Sequence, residues 1–128
     1  MEKSAPKAYT ALCMSDLEKL TQSIVKFRDA RDWKQFHNPK DMAISLTLEA
    51  AEVLEHFQWQ SPKEIEAYLQ TNKAEVAEEL ADVLYWVLLM NHDLGIDIVS
   101  TFEKKLKKNE VKYPLERAKG KNTKYNKL

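Results

Sequence analysis

The chain contains few of the residues that interrupt helices. Its 128 residues include two glycines and four prolines, so long stretches carry nothing that would break a helix. The β-branched, turn-punctuated runs of a sheet protein are missing as well. The length is enough for one domain with a core of its own but not for two. These absences predict a single all-α domain.

Cysteine and long apolar runs are also scarce. The single cysteine, Cys13, excludes an intramolecular disulfide, and it lacks the basic surroundings that activate a thiol, so we expect it to be inert. The N-terminal region has no continuous apolar segment, so we expect no signal peptide. No run approaches the roughly 18 apolar residues that indicate a membrane span. We therefore expect a cytoplasmic protein with no membrane partner.

Neither sign of charge is in excess, because 20 Lys and Arg balance 20 Asp and Glu. The distribution is nevertheless uneven. Residues 41–103 contain two lysines and thirteen acidic residues, whereas residues 104–128 contain ten basic and two acidic residues. An acidic body disfavours binding to duplex nucleic acid. We expect no nucleic-acid partner, and we expect the basic tail to neutralise the body or to meet ligand phosphates.

Five helix start signals occur along the chain. Each is a residue whose side chain caps helix N-termini, and two of them stand directly before a proline. Three have a glutamate three residues further on, which completes a capping box. The signals are Ser15, Asn38, Ser61, Asn72 and Asp97. They predict a four-helix core with one short extra helix, which begins after Ser61 and ends near Leu69.

The predicted boundaries divide the chain into three parts. Residues 1–14 are predicted to be a flexible segment, residues 15–114 a helical domain and residues 115–128 an irregular basic tail. Within the domain, Gly95 suits the residue after the end of the fourth helix. Pro114 must end the fifth.

Two of the predicted helices are apolar on nearly every side. One polar line interrupts each of them, and it carries Glu49 and Glu52 in the second helix and Glu79 and Asp82 in the fourth. A helix that is apolar on most sides is buried on most sides, so these carboxylates are not an ordinary wet face. The three-residue spacing places both members of each pair on one side of their helix. Packing the two helices face to face would therefore gather four negative charges.

Such a cluster requires a compensating cation. Burying an ionised carboxylate costs on the order of several kcal/mol unless something offsets it. Hard oxygen donors favour Mg²⁺, which Mn²⁺ can replace, held by Glu49, Glu52, Glu79 and Asp82. A di-iron site needs Glu-x-x-His, but His56 stands four residues after Glu52. From the residues alone, two ordinary solvated faces remain the alternative.

An ordered set of short motifs spans the chain. Glu49-Ala-Ala-Glu52 is followed, after twenty-six residues, by Glu79-Leu-Ala-Asp82. This order resembles the E-x-x-E…E-x-x-D signature of the MazG-like nucleotide pyrophosphohydrolases. Flanking segments are similar to the dCTP pyrophosphatase branch of that family, and the match covers roughly residues 15 to 128. These segments are RDWKQFH at 31–37, FQW at 57–59, EELADVLYW at 78–86 and KYP at 112–114.

The resemblance implies a MazG-like all-α NTP pyrophosphatase fold assembled as a homodimer or homotetramer. It implies hydrolysis of a nucleoside or deoxynucleoside triphosphate, dCTP or another dNTP, to the monophosphate and pyrophosphate, in control of the nucleotide pool. The metal ligands carry over as Glu49, Glu52, Glu79 and Asp82. The base and sugar pocket carries over onto Trp33, Phe36, His37, Trp59 and Trp86.

Several of these residues receive roles in the expected reaction. Glu49 or Glu52 is expected to orient the attacking water or to accept its proton. Trp33 and Trp59 suit stacking on a base, with plain core packing as the alternative. Four residues at near-helical spacing before Pro114 are expected to reach the β- and γ-phosphates, although most surface lysines have no such role. They are Lys105, Asn109, Lys112 and Tyr113.

Two positions depart from the family pattern. Trp86, preceded by Tyr85, stands where animal dCTP enzymes have a tyrosine beside the sugar. Ile24 stands where they have a histidine that contacts the base. Both changes leave the metal ligands intact and imply a base pocket that differs from those enzymes.

The apolar helices also bear on assembly. Two helices that are apolar on nearly all sides need more cover than one short bundle gives, so the sequence predicts a partner subunit.

A non-catalytic helical protein that binds nucleotide or metal is the alternative function, and the presence of all four carboxylates argues against it. A nucleic-acid-binding module relying on residues 115–128 would leave the carboxylates unexplained.

Overall fold

The computed structural model describes residues 14–128, and every regular element within them is helical. The all-α prediction is therefore confirmed for this part of the chain. Cys13 and almost all of the predicted segment 1–14 lie outside it. The helices are α1 (Asp16–Asp29), α2 (Pro39–Glu55), α3 (Pro62–Asp93), α4 (Ile98–Lys112) and α5 (Leu115–Ala118), with 3-10 turns at Lys34–Phe36 and Tyr125–Lys127.

Side-chain caps fix where the four long helices begin. At α1 the Ser15 hydroxyl accepts the Glu18 backbone N–H at 3.3 Å, and the Ser15 N–H donates to the Glu18 carboxylate at 2.7 Å. Ser61 and Glu64 repeat this arrangement before α3, and the bond from the Ser61 N–H lowers the pKa of Glu64. The caps of α2 and α4 are Asn38 and Asp97. These four start signals are confirmed.

The fifth start signal, Asn72, marks a kink rather than a cap. α3 consists of two helical parts joined at Asn72, whose backbone angles are non-helical, with φ −114° and ψ 16°. No glycine or proline lies between Leu69 and Asn72. The predicted division between a short helix and a long one is therefore present at this position, as a kink rather than as a gap.

Glycine ends α3 as predicted. The Ile96 N–H donates to the Asn91 carbonyl at 2.8 Å, and the Gly95 N–H donates to the His92 carbonyl at 3.2 Å. This pair of bonds is a Schellman motif, which needs a left-handed residue at its turn. Gly95 supplies it with φ 65°, a conformation that most side chains resist.

The tail after Pro114 is more regular than predicted. α5 begins directly after this proline, whose carbonyl accepts the Arg117 N–H at 3.0 Å. Lys112 Nζ lies 4.9 Å from the centre of the Tyr125 ring, and the Tyr113 ring meets the same ring edge to face at 5.9 Å. The prediction of an irregular tail was therefore wrong in part. Contacts around one aromatic ring, which leave no hydrophobic period in the sequence, order these residues.

The chain divides into two compact units at Leu89 and Met90, within α3. The first unit contains α1, α2 and most of α3, and so all four predicted metal ligands. The second contains α4 and α5. The buried apolar side chains lie in the first unit and are Met42 on α2 and Val76, Leu88 and Leu89 on α3.

Most of the apolar surface of α2 is uncovered within this chain. Only Met42 of α2 is buried, whereas Leu48 and Leu54 are 58 % and 56 % exposed. The described residues of one copy therefore do not bury α2 on most sides, because too few helices pack around it. Burial by a partner subunit stays a prediction. Within residues 14–128 no single helix is long and apolar enough to cross a membrane, although α3 and α4 counted together as a bent pair reach that length and composition.

Candidate active site

Four carboxylates from α2 and α3 lie together. Glu49, Glu79 and Asp82 each present one oxygen within 4.8 Å of the others. Glu52 joins them, because its carboxyl group is within hydrogen-bonding reach of Glu79. Glu49 and Glu79 are half-buried, and the other two are exposed. The structure thus brings together all four predicted metal ligands, which we call the carboxylate cluster.

Two pKa values in the cluster are raised, and neighbouring negative charge contributes to both. The pKa of Glu49 is raised by its partial burial and then by the charges of Glu52 and Asp82. The pKa of Glu52 is raised chiefly by the hydrogen bond with Glu79 and by the charge of that neighbour. A divalent cation would oppose both effects, because it favours the ionised carboxylate. A set of hard oxygen donors that repel one another fits a cation such as Mg²⁺.

Helical spacing extends the cluster towards a tryptophan. Trp86 follows Asp82 by four residues, so both lie on one side of α3. The Trp86 side chain hydrogen-bonds to Glu49, which favours the ionised form of that carboxylate and partly offsets the rise in its pKa. The His37 ring meets Trp86 edge to face, with centroids 5.3 Å apart. Trp86 thereby connects the loop after α1 to the carboxylate cluster.

A cleft of about 530 Å³ opens beside two of the carboxylates. Rings from α1, from the following loop and from α3 meet edge to face in its wall, with Phe27 5.8 Å from Trp33 and 6.5 Å from Tyr85. Aromatic surface next to polar groups is typical of small-molecule sites. The lining of this aromatic cleft is Ser23, Ile24, Phe27, Trp33, Glu49, Asp82, Tyr85 and Trp86.

A second cleft, of about 360 Å³, is lined by the other two carboxylates. The Tyr68 hydroxyl and His56 Nδ1 share a hydrogen bond of 2.6 Å in its wall. The lining of this polar cleft is Glu52, Glu55, His56, Gln60, Tyr68 and Glu79. The carboxylate cluster therefore borders an aromatic cleft through Glu49 and Asp82 and a polar cleft through Glu52 and Glu79.

The predicted base- and sugar-binding residues separate into two groups. Trp33 and Trp86 line the aromatic cleft, and His37 packs against Trp86. Phe36 and Trp59 line neither cleft and are 63 % and 89 % exposed. A role for these last two in binding stays a prediction.

The predicted phosphate-binding residues lie in the second compact unit. Three are on α4 and the fourth is its C-terminal cap. The Tyr113 N–H donates to the Asn109 carbonyl at 2.9 Å, so this pair closes the last turn of the helix. Contact with phosphates stays a prediction for all four. They are Lys105, Asn109, Lys112 and Tyr113.

Three residues of the aromatic cleft, Ser23, Phe27 and Tyr85, are not among those predicted from the sequence. Tyr85 carries a usable signal, because it follows Asp82 by three residues and so lies on the same side of α3 as that carboxylate. Phe27 follows Leu20 and Ile24 at helical spacing, which indicates only an apolar side of α1. Its part in the cleft depends on the packing of α1 against α3, which no local pattern encodes.

Known proteins resemble this chain in sequence. The model of the MazG-like family matches residues 44–128. The dCTP pyrophosphatase 1 of Rattus norvegicus is 32 % identical over 114 residues, which cover 88 % of this chain and 67 % of the rat protein. The Homo sapiens protein of the same name is 28 % identical over 129 residues, which cover 99 % of this chain and 76 % of the human protein.

A solved structure resembles it as well. The crystal structure of a pyrophosphatase from Archaeoglobus fulgidus has a TM-score of 0.75 and 40 % sequence identity to this chain. The likeness covers 79 % of this chain and 94 % of that one. The region matched by the family model includes the whole carboxylate cluster. The chain belongs to the MazG-like family.

Proposed function

We propose that this protein hydrolyses nucleoside and deoxynucleoside triphosphates to the monophosphate and pyrophosphate in a reaction that requires Mg²⁺. Its class, that of the nucleoside triphosphate pyrophosphohydrolases, follows from the family match and from the pyrophosphatases it resembles. The observation that carries the finer proposal is the position of the carboxylate cluster, which borders both an aromatic and a polar cleft. Such an enzyme would serve to control the nucleotide pool.

The carboxylate cluster would hold the metal ion, with Mn²⁺ as a substitute. The fit rests on hard oxygen donors, three of them within 4.8 Å of one another, and on the neighbouring negative charges that add to the rise in the pKa values of Glu49 and Glu52. When bound, Mg²⁺ neutralises phosphate charge and polarises a phosphoryl group. The ligands are Glu49, Glu52, Glu79 and Asp82.

The chain's own residues would position water and base. Glu49 or Glu52 orients the attacking water or accepts its proton, since each stands where the cluster meets a cleft. The rings of Trp33 and Trp86 flank the space for base and sugar, and base stacking contributes roughly 1–3 kcal/mol. The substrates would include dCTP or other dNTPs. Ile24 lines the aromatic cleft, and the resemblance implies a base-contacting histidine at this position in the animal dCTP enzymes, so we propose a range of bases wider than cytosine.

We propose that a second copy of the chain covers the exposed apolar surface, giving a homodimer or homotetramer. Leu48 and Leu54 on α2 and Leu80 and Leu84 on α3 are all exposed. Large apolar patches on a soluble protein mark association sites, and soluble homo-oligomers bury them in symmetric contacts. The acidic composition of residues 41–103 supports a protein without nucleic-acid partners. We also propose that it acts in the cytoplasm without membrane partners.

The direct test is a substrate panel. The protein is incubated with the four common dNTPs and NTPs, once with Mg²⁺ and once with EDTA, and the products are separated by ion-exchange chromatography. We expect monophosphate and pyrophosphate with Mg²⁺ and no turnover with EDTA. Diphosphate and phosphate would contradict the proposed bond. No turnover from folded protein would favour a non-catalytic nucleotide- or metal-binding protein.

A further inference from the structure

Two residues that line the aromatic cleft, Ser23 and Tyr85, carry side-chain hydroxyls, and they differ in whether the hydroxyl proton is already donated. The Ser23 hydroxyl donates to the Lys19 carbonyl at 3.0 Å within α1. The Tyr85 hydroxyl has no hydrogen-bond partner among residues 14–128. An unpaired polar group in a half-buried site is a group that a bound molecule can satisfy.

The Tyr85 ring is held in place by two neighbouring rings. It meets Phe27 edge to face at 6.5 Å and Trp86 edge to face at 5.2 Å. Burial raises the pKa of the Tyr85 hydroxyl, so it stays protonated at neutral pH. Tyr85 is therefore a fixed hydrogen-bond donor in the wall of the cleft.

Two guanidinium groups add positive charge near this hydroxyl. Arg31 lies over the Phe27 ring at 3.7 Å from its centre and donates to the Phe27 carbonyl at 2.9 Å. Arg28 is buried, with Nε 3.0 Å from the Asp29 carboxylate. Both charges act on Tyr85 and partly offset the rise in its pKa. This positive charge attracts the lone pairs of the Tyr85 hydroxyl oxygen. It would also attract an electron-rich oxygen of a ligand bound beside that hydroxyl.

We propose that Tyr85 is a specificity-determining residue whose hydroxyl donates a hydrogen bond to a carbonyl oxygen of the nucleobase in the aromatic cleft. The inference rests on the proposed function, because it concerns the base held in that cleft. Cytosine, thymine, uracil and guanine carry an exocyclic carbonyl oxygen, whereas adenine has none. Adenine leaves the donor unpaired, so adenine nucleotides are the poorest substrates.

The test compares Tyr85→Phe with the wild type. kcat/KM is measured with Mg²⁺ for dCTP, dTTP, dGTP and dATP, and we expect dATP to be the slowest wild-type substrate. Removing one hydroxyl lowers kcat/KM about 10-fold for the three carbonyl-bearing bases and leaves dATP within about twofold. Tyr125→Phe is the matched control, since it removes a hydroxyl from the second unit, keeps the ring that faces Lys112 and leaves all four rates unchanged.

A substrate pair gives the same test without depending on how the variant folds. dITP differs from dATP in carrying a carbonyl in place of the amino group at position 6. We expect the wild type to prefer dITP about 10-fold and Tyr85→Phe to lose that preference.

Three outcomes would overturn the assignment. They are an equal fall with all four dNTPs in Tyr85→Phe, no change with any of them, and a wild type that turns over dATP as fast as dITP. A wild type that hydrolyses no nucleotide with Mg²⁺ would instead contradict the proposed function itself.

Discussion

Glu49 experiences burial and two neighbouring negative charges at once. Its pKa is raised by both effects. A carboxyl group whose pKa is higher in the folded than in the unfolded state stabilises the fold only while it is protonated. That contribution is lost as the pH rises through the ordinary value of 4.5 and beyond. The metal-free protein therefore contains a destabilising charge at neutral pH, which the proposed cation would relieve.

We predict that Glu49→Gln raises the melting temperature of the metal-free protein at pH 7 by about 2 °C. Thermal denaturation in EDTA measures the change. The gain in melting temperature should disappear below pH 4.5, because the Glu49 carboxyl group is then protonated and carries no more charge than the glutamine that replaces it. Glu116→Gln, at an exposed site in the second unit, is the control and should change little. A lower melting temperature for Glu49→Gln in EDTA would show that the carboxylate stabilises the metal-free fold.

A substitution of Glu79 tests the proposed metal site more directly. Glu79→Gln keeps the size of the side chain but removes a charged ligand, so we predict a loss of turnover of at least about 100-fold. Mg²⁺ at a hundred times its dissociation constant should stabilise the wild type by about 2.7 kcal/mol, and this increment should shrink in the variant. Pyrophosphate release and the melting temperature with and without Mg²⁺ are the measurements. Glu78→Gln is the adjacent control, and full turnover by Glu79→Gln would remove this residue from the site.

The loop between α1 and α2 is held by main-chain bonds rather than by a core of its own. The Trp33 N–H donates to the Arg28 carbonyl at 3.2 Å, and Asp32 has a positive φ of 54°. These constraints direct the Trp33 ring against Phe27 in the wall of the aromatic cleft. The loop thereby places an aromatic ring in the cleft wall from a segment that has no regular hydrophobic period.

We predict that Trp33→Ala raises KM for the preferred nucleotide about 10-fold, since stacking on one base contributes roughly 1–3 kcal/mol. Trp33→Phe keeps an aromatic face and should recover most of the loss. Steady-state kinetics with Mg²⁺ separates KM from kcat. If KM were unchanged in Trp33→Ala, the ring would pack against Phe27 without touching the substrate.

Element boundaries were predictable wherever a single side chain determines them. Ser15, Asn38 and Asp97 each satisfy free N–H groups of a first helical turn, and Gly95 accepts a backbone angle that other residues resist. The carboxylate cluster was predictable for a related reason, since a spacing of three residues places two groups on one side of any helix. Asn72 was likewise predictable as the point at which α3 divides into two helical parts, although the division is a kink rather than a gap.

The clefts were not predictable in the same way. Phe27 and Tyr85 lie 58 positions apart in sequence, yet their rings are 6.5 Å apart. Their meeting depends on the packing of α1 against α3, and no period in either helix specifies it. The hydrogen bond between His56 and Tyr68 in the polar cleft likewise joins two elements across a turn. Local patterns predicted the ligands, and tertiary packing determines what surrounds them.

At the scale of the whole molecule, the proposed assembly rests on the exposed apolar surface of α2. We predict that the wild type sediments as a dimer or tetramer at micromolar concentration and that Leu48→Glu shifts it towards monomer, because a charge would be buried in the contact. Sedimentation velocity measures both. Thr47→Glu, at the neighbouring exposed position on α2, is the control for added charge. A monomeric wild type would contradict the proposed assembly.

The hydrophobic period of α2 therefore predicts that the helix is covered, but it does not identify the surface that covers it. Leu48 and Leu54 follow the pattern of a covered helix, yet both are exposed in one copy of the chain. A sequence records the surfaces that must leave water in the final assembly, and it does not distinguish a neighbouring helix from a neighbouring molecule. The same limit applies to Trp59. Its aromatic side chain is 89 % exposed in one copy of the chain, and the sequence does not identify what would cover it.

The helix caps also bear on the order of the folding and assembly steps. Ser15, Asn38, Ser61 and Asp97 each act within the first turn of their own helix, and proteins dominated by such local contacts fold in microseconds to milliseconds. In the proposed assembly, two molecules would then have to meet before the exposed face of α2 is covered, and that step would slow on dilution. Newly synthesised chains would therefore pass through an interval in which they are helical but still expose this apolar face. Their yield would depend on meeting a second copy before another hydrophobic surface.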